Sequence, residues 1–369
     1  MRAMSKLLAG AAAALSLAAC ATVPAEEPLS PEGLRYLSQP LVSEIYTADP
    51  SAHVFGGRVY VYGSHDIDGP TPEDDLGSHF EMRDYRVISM DRIGGEVTLH
   101  PVALDVDQVA WAERQMWAPD AAYKNGRYYL YFPAKDAEGV FRIGVAVGDR
   151  PEGPFTAQPR PITGSYSIDP AVFTDDDGAS YMYFGGIWGG QLQRWQSGQY
   201  DPNGSITDLE NDTAPAIKPR VARIRDDMLE FAETPREVTI LDENGNTILG
   251  GDHNRRFFEA AWVHKFNGQY YFSYSTGDTH YINYATGTSP YGPFTYRGQV
   301  LLPVQGWTNH HSITEVDGQW YLFYHDTQLA NDTRLRNIKA TPLTHNPDGT
   351  IRTIDPFIRA RVEVLDRER

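Results

Sequence analysis

An alternation of apolar segments and polar turns runs along the chain, and it is clearest in residues 167–186. There, Asp169 and Pro170 precede an apolar segment, a turn rich in aspartate ends at Gly178, and a segment rich in aromatic residues follows. Short apolar segments bounded by aspartate and glycine are typical of paired β-strands. This stretch therefore predicts a β-hairpin that begins with a carboxylate.

The same pattern occurs four more times along the chain. Each copy begins at a polar residue and returns, after a turn, as a segment rich in aromatic side chains. The five opening residues are Asp49, Asp120, Asp169, Glu259 and His310. A repeated hairpin indicates a radial or solenoid architecture, and uneven spacing favours a propeller whose blades carry different insertions. We therefore predict an all-β fold, a five-bladed β-propeller.

The hydrophobic pattern weakens between residues 201 and 256. Helical spacing in residues 224–231 predicts a short helix, and Asn244 followed by Gly245 predicts a hairpin turn. We interpret the segment as a short α/β insertion that either closes one end of the pocket or decorates the edge of the propeller. A contact between the two chain ends is also expected, because an unclosed propeller exposes edge strands.

A propeller of this kind brings the opening residues of the repeats together. The innermost strand of each blade runs beside the central axis, so equivalent positions face one funnel. Carboxylates crowded there raise one another's pKa, an arrangement that is tolerated mainly where it performs chemistry. The funnel is therefore the predicted active site, and the polar loop of residues 66–77 is expected to form one wall.

Composition and charge narrow the choice of ligand. The chain has 369 residues and a formal net charge of -17, which disfavours nucleic acid and anionic polysaccharides as partners. Aromatic rings bind the apolar faces of sugars, so we interpret Trp117, Trp188 and Trp262 as candidate sugar-binding platforms, with a core aromatic as the alternative for Trp117. Asp120 is a further candidate substrate-binding residue. A neutral oligosaccharide is the expected substrate, and the pattern leaves the oligomeric state open.

The first residues resemble an export signal. Arg2 and Lys6 precede an apolar run over residues 7–17 that is too short to span a bilayer, and small residues lead into Cys20, the single cysteine. This order resembles the lipobox of bacterial lipoproteins. We predict a signal peptide over residues 1–19, a lipid on Cys20, an acidic tether over 20–31 and a catalytic propeller over 32–369. The expected location is the bacterial cell envelope, with the membrane contacted only through the lipid.

Five motifs, in this order, resemble glycoside hydrolase family 43, a family of five-bladed propeller enzymes that act on plant polysaccharides. They are Ala48-Asp49-Pro50, Trp117-Ala118-Pro119-Asp120, Ser167-Ile168-Asp169-Pro170, Phe258-Glu259-Ala260 and Asn309-His310-His311-Ser312. Many members of the family have Glu-Gly-Pro at the acid motif, whereas this chain has alanines at positions 260 and 261.

The resemblance implies the role of each site residue. It implies an inverting hydrolase in which Asp49 is the general base, Glu259 is the general acid and Asp169 tunes the pKa of Glu259. It implies that Arg336 reaches the substrate, with a surface salt bridge as the alternative interpretation. It further implies one axial Ca²⁺ or Na⁺ ion at His310, with a neutral histidine bonded to water as the alternative, and no organic cofactor.

The resemblance and the expected shape of the pocket together suggest a substrate. A closed funnel admits a chain end, so we predict exo action that releases xylose from the non-reducing ends of hemicellulose oligosaccharides during xylan degradation. An α-L-arabinofuranosidase of the same fold is the first alternative. A sugar-binding propeller without catalysis is a second alternative, and a retaining fructosidase, with carboxylates about 5 Å apart, is a third.

Overall fold

The computed structural model describes residues 29–359, so the predicted signal peptide, Cys20 and most of the predicted tether lie outside the described residues. Among the described residues, no helix is long and apolar enough to cross a membrane. The regular structure there is β-strand with three short 3-10 helices, Val106–Gln108, Trp188–Gly190 and Leu192–Trp195. In chain order the strands are β1 (Arg35–Tyr36), β2 (Tyr46–Phe55), β3 (Arg58–Asp66), β4 (Asp84–Met90), β5 (Val97–Leu99), β6 (Leu104–Asp105), β7 (Asp120–Lys124), β8 (Arg127–Lys135), β9 (Phe141–Gly148), β10 (Thr156–Ala157), β11 (Ala171–Thr174), β12 (Ser180–Phe184), β13 (Arg220–Ile224), β14 (Arg236–Glu237), β15 (Ile240–Leu241), β16 (Glu259–Phe266), β17 (Gln269–Ser275), β18 (Ile282–Gly287), β19 (Phe294–Leu301), β20 (His311–Val316), β21 (Gln319–Asp326), β22 (Asn337–Pro342) and β23 (Phe357–Ile358).

Five sheets of three to five strands form the blades of the molecule. Their innermost strands are β2, β7, β11, β16 and β20, which define blades one to five, and neighbouring members contact one another in a closed ring. Each of the five predicted repeats supplies the inner hairpin of one blade. The prediction of an all-β, five-bladed β-propeller is therefore confirmed.

The hydrophobic core is divided into clusters that lie between neighbouring blades. In β8, Leu130 and Phe132 pack against blade one, whereas Tyr129 and Tyr131 pack against blade three. Successive side chains of a strand point to opposite faces of its sheet, so a blade that is covered on both faces needs apolar residues at every position. This is why the second strand of each repeat is a nearly continuous aromatic and aliphatic segment.

The prediction of a helix in residues 224–231 is wrong. Residues 220–224 form β13, the third strand of blade three, and the chain then turns so that Phe231 pairs with Ile224. Both side chains are buried between blades two and three. Helical spacing over a single turn is a weak signal, and burial of these two apolar side chains against the sheets outweighs it.

The remainder of the 201–256 segment joins two blades. It adds β14 to the edge of blade three and β15, in parallel orientation, to the edge of blade four. The predicted turn at Asn244 and Gly245 is confirmed, since Leu241 and Thr247 pair across it. The segment therefore extends the edges of existing blades.

The two ends of the described chain meet, as the sequence predicts. Arg35 of β1 pairs with Ile358 of β23 in antiparallel orientation. Further along, the backbone N–H of Leu41 donates to the carbonyl oxygen of Ile338 in β22 at 2.8 Å. The N-terminal segment is thereby attached to blade five, which holds the first and last blades together.

Candidate active site

A left-handed backbone conformation positions two of the three predicted catalytic carboxylates, Asp49 and Asp169. In blade one, Asp49 and Pro50 lie together opposite the single residue Gly63. Asp49 has a φ of 56°, and Asp169, which also precedes a proline, has the same left-handed φ at the start of blade three. A bulge commonly redirects a side chain out of the regular pleat. The bulge at Asp49 and the matching conformation of Asp169 bring both carboxylates to the cavity.

Glu259 reaches the funnel from a different backbone position. In blade four, Ala260 (φ 60°) and Ala261 form the bulge opposite Tyr274, so Ala260 is the structural equivalent of Asp49. Glu259 lies one residue earlier. The prediction that all five opening residues occupy equivalent positions is therefore wrong, because Glu259 reaches the funnel from the position that Ala48 holds in blade one.

Asp120 is buried and does not line the cavity, which corrects the prediction that it contacts substrate. It pairs with Tyr131 in the ladder of blade two. Its carboxylate accepts hydrogen bonds from the Ser51 hydroxyl and the backbone N–H of Val172, and one of its oxygens lies 2.7 Å from His53 Nε2. These contacts join blades one, two and three, so the carboxylate is engaged in holding the blades together.

A cavity of about 310 Å³ opens at the funnel, and Asp49, Asp169 and Glu259 all line it. Of the four carboxyl groups predicted to converge with His310, these three do so and Asp120 does not. Residues 73–75 and 77 also line the cavity, so the polar loop of residues 66–77 forms a wall as predicted. Residues 201–256 do not line it, and the segment does not cover the pocket directly.

Two glycines allow the loops of blades one and three to approach closely. A Cβ atom on Gly189 would lie 2.5 Å from the carbonyl oxygen of Leu76. A Cβ atom on Gly77, whose φ is +65°, would lie 2.8 Å from the Trp117 ring. Because neither position has room for a side chain, the two loops can meet beside Trp117 and confine the cavity on that side.

Asp49 is held in its ionised form. Its Oδ1 accepts a hydrogen bond from Arg336 Nη1 at 3.1 Å, and its Oδ2 accepts one from the Ser64 hydroxyl. Its backbone N–H donates to His325 Nδ1 at 3.0 Å. Burial alone would raise the pKa of Asp49, but the charge of Arg336 and the hydrogen bond from Ser64 help to outweigh it, and the pKa is lowered.

Arg336 is buried and lines the cavity, so the alternative interpretation as a surface salt bridge is wrong. Its Nε and Nη2 donate to the two oxygens of Asp66 at 2.8 and 2.7 Å, and Nη1 donates to Asp49. A buried guanidinium is stable only when carboxylates and hydrogen bonds compensate for its lost hydration. Asp66 therefore fixes the cation that keeps Asp49 charged.

Glu259 has the opposite electrostatic setting. Burial, and then repulsion from Asp49, raise the pKa of Glu259 to about 8, so the group keeps its proton at neutral pH. Burial and the neighbouring Glu259 and Asp49 also raise the pKa of Asp169 well above its ordinary range. Asp169 Oδ2 accepts the backbone N–H of Ala260 at 2.8 Å, directly beside Glu259. Groups this close share their titration steps.

His310 lines the cavity with its Nδ1 3.8 Å from Asp169 Oδ2. Burial lowers the pKa of His310 to about 4, so the ring is neutral. Within residues 29–359 no group of three or more His, Cys, Asp or Glu side chains could hold a metal ion. Calcium takes about six to eight oxygen ligands. These residues therefore do not fit a cation held by protein ligands alone, and we derive no catalytic step from one.

Two of the three candidate tryptophans line the cavity. Trp117 Nε1 donates to the carbonyl oxygen of Phe80 at 2.9 Å, and Trp188 Nε1 donates to Asp208 Oδ1 at 2.8 Å. Trp262 lies instead in the core between blades four and five, where its Nε1 donates to the carbonyl oxygen of Ile313 at 3.1 Å. The prediction that Trp262 contacts substrate is corrected, because its position in β16 directs the ring between the blades.

Sequence reasoning missed several residues of the cavity wall. They include His79, Phe80, Met82, Phe258, Trp307 and Thr308. Phe258 belongs to the motif that contains Glu259, and Thr308 directly precedes the motif that contains His310, so proximity in sequence was the available signal. The path of residues 78–82 depends on how a loop folds back over blade two, which hydrophobic periodicity does not encode.

Comparison with known proteins agrees with this geometry. The chain matches the model of Glycosyl hydrolases family 43 over residues 40–351. It is 56% identical to a xylosidase/arabinosidase 43A of Humicola insolens, covering 86% of this chain and 99% of that protein. It is 53% identical to a xylosidase/arabinosidase of Bacteroides ovatus, covering 85% and 97%.

A solved structure is similar to the whole propeller. It is a family 43 β-xylosidase/α-arabinofuranosidase from a compost microbial metagenome, crystallised with xylotriose in a calcium-free form. The two chains are 68% identical with a TM-score of 0.86, and the match covers 87% of this chain and 98% of the other. With its five blades and a cavity lined by Asp49, Asp169 and Glu259, the chain belongs to glycoside hydrolase family 43.

Proposed function

We propose that this glycoside hydrolase releases xylose from the non-reducing ends of xylan oligosaccharides with inversion at the anomeric carbon. One observation carries the proposal: Asp49 with a lowered pKa and Glu259 with a raised pKa line the same cavity. An inverting glycosidase needs a carboxylate that activates water and a carboxylic acid that protonates the leaving oxygen. Opposite shifts on two neighbouring carboxyl groups supply that pair at one pH.

The reaction assigns one proton transfer to each group. As water attacks the anomeric carbon, Asp49 accepts a proton from it, and Arg336 keeps Asp49 ionised until then. As the bond to the leaving sugar breaks, the glycosidic oxygen takes the proton of Glu259. Burial and repulsion from Asp49 raise the pKa of Glu259, so that the proton is present at neutral pH. Asp169 accepts the backbone N–H of Ala260 and so holds the strand beside Glu259. Exchange with solvent then restores both groups.

The shape of the cavity supports exo action. Gly189 and Leu76 bring the loops of blades one and three together, which confines the cavity on the side of Trp117. A pocket with a closed side holds a chain end, whereas an endo-acting enzyme needs a groove open at both ends. The indole rings of Trp117 and Trp188 offer apolar faces for the terminal sugar.

Digestion of xylohexaose tests both features of the proposal. Early free xylose together with xylopentaose indicates exo action, whereas a ladder of intermediate oligomers without early xylose contradicts it. NMR of the first-formed anomer reports the stereochemistry. Release of α-xylose from a β-linked substrate is expected for inversion, and release of β-xylose would contradict it.

The roles of the two carboxyl groups have separate signatures. We expect Asp49→Ala to lose activity and to recover part of it with azide, a small anion that can replace the missing carboxylate. We expect Glu259→Gln to lose little activity on aryl xylosides with good leaving groups and much more on xylobiose. Equal losses of Glu259→Gln on both substrates would contradict its assignment as the acid.

Cleavage of α-L-arabinofuranosides is a second candidate activity. It is favoured by the names of the relatives, two of which are described as xylosidase/arabinosidases. Xylose and arabinose are pentoses with similar hydroxyl groups, so one pocket can accept both. We expect weaker action on aryl arabinofuranosides than on aryl xylosides, and activity on arabinan alone would contradict the preference for xylosides.

We also propose that the enzyme is a lipoprotein of the bacterial cell envelope, anchored through Cys20. The support is the order of positive residues, apolar run, small residues and cysteine in residues 2–20. After cell fractionation the wild type should sediment with membranes and Cys20→Ala should not, because acyl chains supply the binding energy. A wild type found wholly in the soluble fraction would refute the anchor.

An axial cation at His310 is a further proposal. Its support is one imidazole that lines the cavity and a relative described as crystallised in a calcium-free form. Because the described side chains supply so few ligands, such an ion would be held by His310 and water. Ca²⁺ or Na⁺ should then raise the melting temperature of the wild type and leave that of His310→Ala unchanged. No effect of either ion on the wild type would refute the proposal.

A further inference from the structure

Trp188 forms part of the cavity wall from a loop that needs external support. Its ring packs on Phe258 at 5.4 Å and on Trp307 at 6.1 Å between ring centroids. Its backbone has a left-handed φ of 55° and begins the 3-10 turn of residues 188–190. A residue in this conformation keeps its place only when its surroundings fix it. A contact from outside the loop is therefore needed to orient the indole ring.

One carboxylate outside the cavity binds this ring. Asp208 Oδ1 accepts the hydrogen bond from Trp188 Nε1 at 2.8 Å. The side chain of Asp208 is only 4% exposed, and its second oxygen lies 3.2 Å from Arg256 Nη1. The Arg256 side chain is 1% exposed. An indole N–H that donates to a buried, ion-paired carboxylate is held more firmly than one that donates to water.

Arg256 extends this contact towards the catalytic acid. Its guanidinium lies 5.5 Å from the centroid of the Phe258 ring, and Phe258 immediately precedes Glu259. A second guanidinium nitrogen lies 3.5 Å from Asp278 Oδ1. Asp208 and Arg256 lie near the two ends of the 201–256 segment, so the segment clamps Trp188 and Phe258 from behind the cavity wall.

We infer that Asp208 is a positioning residue for sugar binding, and that the 201–256 segment contributes to substrate affinity through it. The inference rests on the proposed function, because it assigns the Trp188 face to a bound xylosyl unit. Asp208 fixes the indole plane, and the fixed plane binds the sugar equally in the ground state and the transition state. Loss of such uniform binding raises KM and leaves kcat nearly unchanged.

Kinetics of Asp208→Ala with xylobiose provides the first measurement. We expect KM to rise about fivefold to tenfold, with kcat within about twofold of the wild type, because one hydrogen bond to a buried charge is lost. Glu210→Ala is the matched control, since it removes an exposed carboxylate two positions away on the same segment. Its KM should equal that of the wild type.

A double-mutant cycle separates positioning from a general structural effect. Trp188→Phe keeps an aromatic ring but has no N–H to donate. In that background Asp208→Ala should change KM by less than about twofold, because the contact is already absent. Additive effects of the two substitutions on KM would overturn the inference.

The indole N–H resonances give a readout that is independent of activity. With [15N]tryptophan the seven tryptophans of the chain give separate Nε1 signals, and Trp188→Phe identifies one by its loss. That signal should shift in Asp208→Ala and stay in place in Glu210→Ala. If Asp208→Ala does not fold, Asp208→Asn replaces it, with the same shift and a KM increase of about twofold to threefold expected. An unshifted signal with an unchanged KM would overturn the inference, whereas a shifted signal in an enzyme inactive on xylosides would refute only the proposed function.

Discussion

At the scale of single residues, the active site depends on two buried carboxyl groups that differ in their neighbours. Asp49 contacts a guanidinium and a hydroxyl, while Glu259 is buried near Asp49 and Asp169. The lowered pKa of Asp49 and the raised pKa of Glu259 follow from these neighbours and not from the residue types. The two opposite pKa shifts predict how activity depends on pH.

The alkaline limit of activity should follow the ionisation of Glu259. The acid is active while protonated, so kcat/KM on xylobiose should fall as pH rises through about 8. The base is active while ionised, and the pKa of Asp49 is lowered, so the acidic limit should lie below about pH 4. In Glu259→Gln, assayed on an aryl xyloside with a good leaving group, the alkaline limit should disappear. An alkaline limit that remains in this variant would show that another group causes it.

At the scale of elements, the bulges at the inner ends of blades one and four decide which side chains face the funnel. Asp49 occupies the left-handed position of its bulge, whereas in blade four that position holds Ala260. Alanine is strained in this conformation by about 1 to 2 kcal/mol, and glycine is not. Many family members have glycine at this place, so the geometry gives a physical reason for it.

Ala260→Gly should therefore be nearly neutral for stability. Glycine loses the burial of the methyl group and has greater entropy in the unfolded chain, but relief of the strain offsets both effects. The free energy of unfolding should therefore change by no more than about 0.5 kcal/mol. Ala261→Gly is the matched control, since Ala261 is equally buried but has no positive φ. It should lower the free energy of unfolding by about 1.5 kcal/mol. Equal changes in urea denaturation of both variants would contradict the argument.

A pair of histidines between blades four and five should make the stability of the fold depend on pH. His264 of β16 and His345, which follows β22, lie with their Nε2 atoms 3.0 Å apart. Burial lowers the pKa of both rings, that of His345 to about 4. Near neutral pH both rings are uncharged in the folded protein, whereas in the unfolded chain each has a pKa of about 6.5.

The pair should weaken the protein as pH falls. Because the folded pKa values are lowered, the unfolded chain binds more protons, and stability is lost between about pH 6.5 and 4. His345→Gln keeps a hydrogen-bond donor. Between pH 7 and 5 its free energy of unfolding should fall by about 1 kcal/mol less than that of the wild type. His280→Gln, at a ring bonded to the Trp307 carbonyl near the cavity mouth, is the control. Identical pH dependence of wild type and His345→Gln in denaturant unfolding would contradict this.

At the scale of the whole molecule, stability depends on holding the first and last blades together. Near this junction Lys339 Nζ donates to Asp326 Oδ2, with both side chains 1% exposed or less. The same ammonium group lies 4.0 Å from the centroid of the Tyr36 ring in β1. One buried ion pair therefore connects blade five with the segment that closes the propeller.

Removing one partner of this pair should lower the stability of the fold. Lys339→Met leaves Asp326 buried without its cation and should lower the free energy of unfolding by about 3 to 5 kcal/mol. Lys218→Met breaks the exposed pair with Glu237, at 3.0 Å, and should change stability by less than about 1 kcal/mol. In the double variant Lys339→Met with Asp326→Leu, much of the loss should be recovered. Similar losses for Lys339→Met and Lys218→Met in urea denaturation would refute the role of the buried pair.

The sequence by itself determined the repeated hairpins, the five blades and three of the carboxyl groups that line the cavity, those of Asp49, Asp169 and Glu259. These features are local: alternation, turn residues and short motifs recur at each blade, and packing on both faces requires the aromatic strands. Tertiary structure decided what depends on register and on distant contacts. A one-residue shift at the bulges separated Glu259 from the position of Asp49. Contacts with neighbouring blades placed Asp120 and Trp262 outside the cavity. Likewise, only the folded chain brings Asp208 to Trp188 and Asp66 to Arg336, because no local pattern encodes contacts between side chains so far apart in sequence.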